Sequence, residues 1–315
     1  MNKPEVLQLG PYPPWDEGPL MQEYRVHRLF EEADPMAWVA VHGAGVRAIA
    51  TNGGLGAPSA LIAALPSLEV ISVYGVGYDQ IDLDLCRARG IAVGNTPDVL
   101  TDDVADLCVG MILALNRGMI GADAWVRSGD WAAKGAYPLQ RKVSGRRAGI
   151  LGLGRIGEAI ARRLAAFDMT ISYTARAPKD VPEGWAFVPD PVALARGCDI
   201  LVVALAATAE TRHIVGREVI AALGPEGMVA NISRAANIDE EALLEALETG
   251  ALRAAALDVF EDEPRLNPRF VALPNVILQP HAASGTVETR KAMGQMMRDN
   301  LAAHFAGRPL IARVV

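Results

Sequence analysis

Three short segments in the last third of the chain each present one polar residue where a strand ends or a loop begins. They are Asn231-Ile232-Ser233-Arg234, Asp258-Val259-Phe260-Glu261-Asp262-Glu263-Pro264 and Gln279-Pro280-His281. The planar fork of Arg234 suits a bidentate grip on a carboxylate or a polarised carbonyl. His281 can deliver a proton near neutral pH, and a carboxylate such as Glu263 beside it favours the proton-carrying ring. Together the three could hold a keto acid, polarise its carbonyl and protonate it. Each also has a plainer reading. Arg234 alone would be a surface arginine at a helix start, and Glu263 shares an acidic run with Glu261 and Asp262. A single histidine is usually structural or exposed, which is how His27, His42, His213 and His304 are read. Two details favour chemistry: Pro264 fixes the acidic turn, and Ala282, Ala283, Ser284 and Gly285 leave room beside His281.

Upstream lies a glycine-rich turn, Gly152-Leu153-Gly154-Arg155-Ile156-Gly157. Alone, such a triplet is weak evidence. Here it follows the apolar run Ala148-Gly149-Ile150-Leu151 and opens a helix with Ile156, Ile160 and Leu164 on one face, as dinucleotide binding requires. Gly152 permits the tight turn, Gly154 lets backbone approach a pyrophosphate, and Gly157 lets helix pack on strand. The helix N-terminus then faces the phosphate charge. About twenty residues on, an NAD enzyme usually offers an acid to the ribose hydroxyls. This chain has Tyr173-Thr174-Ala175-Arg176-Ala177-Pro178-Lys179, with no acid before Asp180. Arg176 would pair with a 2′-phosphate, so NADP(H) is the expected cofactor. The plainer alternative is a solvated Arg176 and bound NAD.

The elements that must carry these residues alternate in type. Short apolar runs at 6–9, 46–50, 70–73 and 91–93 are separated by helical stretches at 57–65 and 83–89. Strands alternating with helices predict parallel sheets. Apolar residues at helical spacing predict a helix over 101–115, capped by Thr101 with Asp102 and Asp103 on its positive end. This helix is a candidate connector between domains, and residues 129–145 after it look irregular. A second series predicts strands at 147–151, to 174, and at 200–204, 228–232, 254–257 and 276–278. Helices are predicted to 166, over 242–247 and from 286 to near 307. The methionine stripe of that last helix reads as core packing.

At 315 residues the chain exceeds the size at which one core keeps growing, so two domains are expected. The net charge of −7, without a basic block, argues against nucleic acid or an anionic membrane. Cys86, Cys108 and Cys198 are too scattered for a disulfide framework or a zinc site, and no metal is expected. The start, Met1-Asn2-Lys3-Pro4-Glu5, lacks the pattern of a signal peptide, and the apolar stretch 107–115 is too short to cross a bilayer. A soluble cytoplasmic protein is expected.

These segments resemble those of the D-isomer-specific 2-hydroxyacid dehydrogenases. Within that family the chain is most similar to NADPH-dependent glyoxylate/hydroxypyruvate reductases and plant-type hydroxyphenylpyruvate reductases. The resemblance runs over residues 70–315 and is densest at Gln279-Pro280-His281-Ala282-Ala283-Ser284-Gly285-Thr286-Val287-Glu288-Thr289-Arg290. It implies an α/β fold of two doubly wound parallel-sheet domains. A Rossmann NADP-binding domain, residues 100–286, would be inserted in a discontinuous flavodoxin-like substrate domain, residues 1–99 and 287–315. It places the catalytic arginine, glutamate and histidine on Arg234, Glu263 and His281, and a nicotinamide-side aspartate on Asp258. Ala204, Ile232, Ser233, Ser284 and His281 itself, which also touches substrate, join the glycine turn and Thr174-Ala175-Arg176 as implied cofactor contacts. The family's carboxylate-binding loop matches Tyr74-Gly75-Val76-Gly77-Tyr78-Asp79, where the Val76 and Gly77 N–H groups could hold an anion.

Two departures stand out. The family often has glycine where this chain has Ala235, and many members carry a proline where this chain reads Ala204-Leu205-Ala206-Ala207. The implied reaction is hydride transfer to C2 of a small 2-keto acid, giving the D-2-hydroxy acid. Arg234 with the Val76 and Gly77 amides would bind the substrate, and His281 would be the general acid. The resemblance also implies domains that close over the ligand and a homodimer through residues 116–145. Rival readings are an NAD-dependent phosphoglycerate or D-lactate dehydrogenase, which Arg176 disfavours, and a non-catalytic nucleotide-sensing binding protein on the same scaffold.

Overall fold

The computed structural model describes residues 3–315, so Met1 and Asn2 of the start read above lie outside the described residues. The chain divides into two compact units, Met1–Leu100 with Gly285–Val315, and Thr101–Ser284.

The first unit holds β1 (Glu5–Gln8), β2 (Arg25–Arg28), β3 (Val46–Asn52), β4 (Val70–Tyr74) and β5 (Ala92–Gly94). They form one sheet in the order β2-β1-β3-β4-β5, every pair parallel. This is the flavodoxin-like order. β4 is buried at every residue, as a parallel strand covered on both faces must be. Leu7, Ile49, Ile71, Val73 and Val93 pack there with Leu61, Ile62 and Leu65 of the helical stretch between β3 and β4. The long C-terminal helix Val287–Phe305 begins at Thr286, whose Oγ1 accepts the Thr289 N–H at 3.2 Å.

The second unit holds β6 (Arg147–Leu151), β7 (Thr170–Thr174), β8 (Ala186–Phe187), β9 (Ile200–Val203), β10 (Met228–Asn231), β11 (Ala254–Leu257) and β12 (Val276–Leu278). Their order is β12-β11-β10-β9-β6-β7-β8, again all parallel. Counted from β6, this is the Rossmann order extended by one strand. β9, β10 and β11 are wholly buried, and Val203, Val229 and Leu257 pack with Leu243, Leu244 and Phe270.

Two differences from expectation stand out. Residues 129–145 are not wholly irregular, because Asp130–Lys134 forms a helical turn after helix Met119–Arg127. Neither element has a buried residue, so no apolar face marked them. The edge strands β2 and β8 were also unread. β2 is Arg-Val-His-Arg with no buried residue, and β8 has only two residues. Among the described residues no single helix is long and apolar enough to cross a membrane. Thr101–Asn116 and Met119–Arg127 pass that test only as a pair bent by 58°.

Candidate active site

The register of the second sheet explains why distant segments meet. Leu278, Leu257, Asn231, Val203, Leu151 and Thr174 are successive Cα partners across six strands, and each closes its strand. Parallel strands in this register release their following loops along one edge, where ligands of open α/β sheets bind. His281, Asp258, Arg234, Ala204, the glycine turn and Arg176 all lie within six residues of that row.

At the β12 end, His281 Nδ1 lies 2.7 Å from Glu263 Oε2. Burial pushes the Glu263 carboxyl up, yet it ends below its usual value. The hydrogen bond with His281, the Phe260 N–H on Oε1 at 2.9 Å, and the charges of His281 and Arg234 outweigh burial. The ionised carboxylate can only accept, so the His281 proton on this side sits on Nδ1 and Nε2 is the nitrogen left to exchange one. Of the three adjacent acids, Glu263 is the one paired with His281. Asp258 is 1% exposed, and its two oxygens accept the N–H groups of Ala282 and Ala283 at 2.7 and 3.1 Å. Burial raises its pKa, while those two N–H groups and His281 oppose the rise. Asp258 thereby grips the backbone that follows His281, whose own φ is +51°.

Arg234 is half-buried, and its Nη1 donates to the Ser233 carbonyl at 2.8 Å. Its turn is organised by Asn231, the polar residue that closes β10. Asn231 Oδ1 accepts from the Ser233 N–H and hydroxyl at 3.0 and 2.8 Å, and Nδ2 donates to the Arg234 carbonyl at 3.1 Å. Asn237, not anticipated at all, donates to Ser233 Oγ and to the Leu205 carbonyl, both at 3.0 Å. A polar residue closing an apolar strand was the available signal for Asn231. Asn237 had none: Ser233 lies in its own turn, but the Leu205 carbonyl comes from a distant segment. Ile232 and Ser233 are buried. Ala235 is outside the left-handed region, so the family's usual glycine is not required there.

The glycine turn has the geometry that a dinucleotide needs. Gly152 has φ +101°, and a Cβ on it would meet Leu205 Cβ at 2.7 Å. A Cβ on Gly157 would collide with the Gly152 carbonyl oxygen. A Cβ on Gly154 would meet nothing within 4 Å, and no side chain caps the helix Arg155–Ala165 that starts there. Open space before uncapped backbone N–H groups suits a pyrophosphate. Leu153 is buried, Ile156 half-buried and Arg155 exposed. Thr174 Oγ1 donates to the Val188 carbonyl at 2.6 Å, and Ala175 and Ala204 are half-buried. Arg176 is exposed and forms no ion pair among the described residues.

The family model for the "D-isomer specific 2-hydroxyacid dehydrogenase, NAD binding domain" matches residues 109–283. The chain belongs to the D-isomer-specific 2-hydroxyacid dehydrogenases. It is 46% identical over 310 residues to hydroxyphenylpyruvate reductase of Plectranthus scutellarioides, covering 98% of each chain. A 2-hydroxyacid dehydrogenase from Ketogulonicigenium vulgare Y25 superposes with TM-score 0.94 at 67% identity, covering 100% of this chain and 99% of the other. The NADPH-dependent glyoxylate/hydroxypyruvate reductase of Sinorhizobium meliloti, solved with NADP and malonate, gives TM-score 0.94 at 41% identity, covering 100% and 97%.

In the first unit of this dehydrogenase, the loop after β4 is held from both sides. The Gly75 N–H donates to Thr96 Oγ1 at 3.0 Å, and the Val76 carbonyl accepts from Asn95 Nδ2 at 2.9 Å. The Val76 and Gly77 N–H groups donate to no acceptor among the described residues. In the dehydrogenase's interior, burial pushes the Cys108 and Cys198 thiols up to about 12, so neither is a nucleophile at neutral pH. Among the described residues no cluster of three acids, histidines or cysteines could hold a metal.

Proposed function

We propose that this dehydrogenase reduces a small 2-keto acid of the glyoxylate/hydroxypyruvate class to the D-2-hydroxy acid with NADPH. The observation that carries the reading is the 2.7 Å contact between His281 Nδ1 and an ionised Glu263, on the sheet edge that also bears Arg234 and the glycine turn. A bound nicotinamide supplies the hydride. Arg234 grips the substrate carboxylate and stabilises the negative charge growing on the carbonyl oxygen. His281 passes its Nε2 proton to that oxygen as general acid, while Glu263 holds the ring. The Val76 and Gly77 N–H groups are assigned to carboxylate binding.

Gly152, Leu153, Gly154, Arg155, Ile156 and Gly157 are assigned to the pyrophosphate. Thr174, Ala175 and Arg176 are assigned to the adenosine ribose and its 2′-phosphate. Ala204, Ile232, Ser233, Asp258 and Ser284 are assigned to the remainder of the cofactor. In this reading Thr101–Ser284 binds cofactor and the other unit binds substrate. The Sinorhizobium meliloti relative, solved with NADP, supports the cofactor choice.

The proposal includes a cytoplasmic homodimer joined through residues 116–145. Met119, Ile120, Val126, Trp131 and Leu139 are large apolar side chains exposed there. The deciding experiment measures NADPH and NADH oxidation with glyoxylate, hydroxypyruvate, 2-ketogluconate and an aryl pyruvate. The expected result is turnover of the small keto acids with NADPH; equal rates with NADH would remove the role given to Arg176.

A further inference from the structure

The acidic turn after β11 carries three carboxylates in a row, and each faces a different partner. Glu263 pairs with His281. Asp262 Oδ2 lies 3.5 Å from Arg265 Nε. Glu261 Oε1 lies 3.8 Å from His213 Nε2, and its backbone N–H donates to Glu240 Oε2 at 3.4 Å. His213 belongs to the loop between β9 and helix Arg217–Leu223. Its backbone is left-handed, with φ +51°. Its N–H donates to the Ala236 carbonyl at 2.8 Å, and the Val215 N–H donates to the Asn237 carbonyl at 3.0 Å. One side of this loop is therefore stitched to the turn that follows Arg234, while the imidazole faces the turn that carries Glu263. Although the side chain is 37% exposed, its Nε2 is enclosed and makes no hydrogen bond. A buried ring nitrogen without a partner requires an explanation, and the Glu261 carboxylate just beyond hydrogen-bond range supplies one.

We propose that His213 is a positioning residue: it holds Glu261 aside, so that Glu263 alone pairs with His281. The inference rests on His281 being the proton donor. With His213 absent, Glu261 sits two positions from Glu263 with nothing to occupy it, and two carboxylates compete for one imidazole. The productive ring orientation is then one of two, and turnover falls while ligand binding does not.

The test measures kcat and the KM values for glyoxylate and NADPH in the full chain. His213→Leu keeps bulk without a donor and is expected to lower kcat about tenfold with both KM values within about twofold. His213→Gln retains a donor and stays within about twofold of the parent kcat. Adding Glu261→Gln to His213→Leu restores most of the lost kcat, because the rival charge is gone. Should His213→Leu fail to fold by thermal melting, His213→Asn, polar but too short to reach Glu261, takes its place. Equal losses in the Leu and Gln variants, no loss in either, or no recovery in the double variant overturns the proposal. His281→Ala, assayed alongside, separates the causes of failure. If it keeps near-parental turnover, the proton-donor reading falls and this inference with it. If it is slow while His213→Leu is fast, only the inference falls.

Discussion

At the scale of single residues, His281 holds a left-handed backbone, φ +51°, which costs a non-glycine residue about 1–3 kcal/mol and persists only where neighbours over-determine it. Asp258 does this by gripping the next two N–H groups, and Glu263 fixes the ring. If His281 is the general acid, His281→Ala should lower kcat at least about a hundredfold. NADPH affinity, read by fluorescence titration, should change little; near-parental turnover would refute the assignment. Glu263 carries a pH prediction. Its carboxyl lies below the ordinary 4.5, so the pair's contribution is whole above about pH 4.5 and is lost as pH falls through the lower folded value. Glu263→Gln removes the carboxylate that fixes the His281 ring through Nδ1, and kcat should fall about tenfold or more with the glyoxylate KM little changed. Near-parental kcat would mean that Glu263 does not orient the donor.

At the scale of elements, the glycine turn separates two jobs that substitution can tell apart. Gly157→Ala drives a methyl group against the Gly152 carbonyl and should destabilise the unit by about 1–3 kcal/mol, seen as a lower melting temperature. Gly154→Ala meets only open space, so the fold should be untouched. That methyl would stand where the pyrophosphate approaches, and NADPH binding should weaken about tenfold or more at unchanged melting temperature. If both variants lost stability equally, Gly154 would be a packing residue. This element was legible in the sequence because strand, turn and helix are consecutive and each glycine answers a local demand. Helix Met119–Arg127 was not legible, since it buries nothing and so shows no apolar period. Helix Pro14–Glu23 shows no apolar period either: it carries Pro19 inside it, and its buried residues are one acid, Asp16, and one leucine, Leu20.

At the scale of the whole molecule, the first unit is built from both ends of the chain. Ser72 Oγ donates to the Met297 carbonyl at 2.9 Å, Tyr74 to the Arg290 carbonyl at 2.6 Å, and Asn300 Nδ2 to the Asn95 carbonyl at 3.1 Å. Asp16 pairs with Arg298 in the interior, the two residues being 0% and 8% exposed. Removing one partner strands a buried charge, so Asp16→Ala should cost about 3–5 kcal/mol. Thermal melting checks this, and a loss below about 1 kcal/mol would mean that water reaches Arg298.

The sequence by itself determined the class of fold, the glycine turn and the set of candidate polar residues, because apolar period, turn chemistry and strand-end position are local properties. Read from its residues alone, the acidic run left three adjacent carboxylates open beside His281, and only the family resemblance singled out Glu263. The tertiary structure shows Glu263 as the one in contact with the ring. Glu263 and His281 are brought together by neighbouring strands β11 and β12, and the contact also depends on Asp258 holding the backbone beyond the histidine. Asn231 bonds within its own turn, to Ser233 and Arg234. The Asn237 bond to the Leu205 carbonyl and the Asp16–Arg298 pair were decided by packing, and no local pattern encodes where a distant partner will fall.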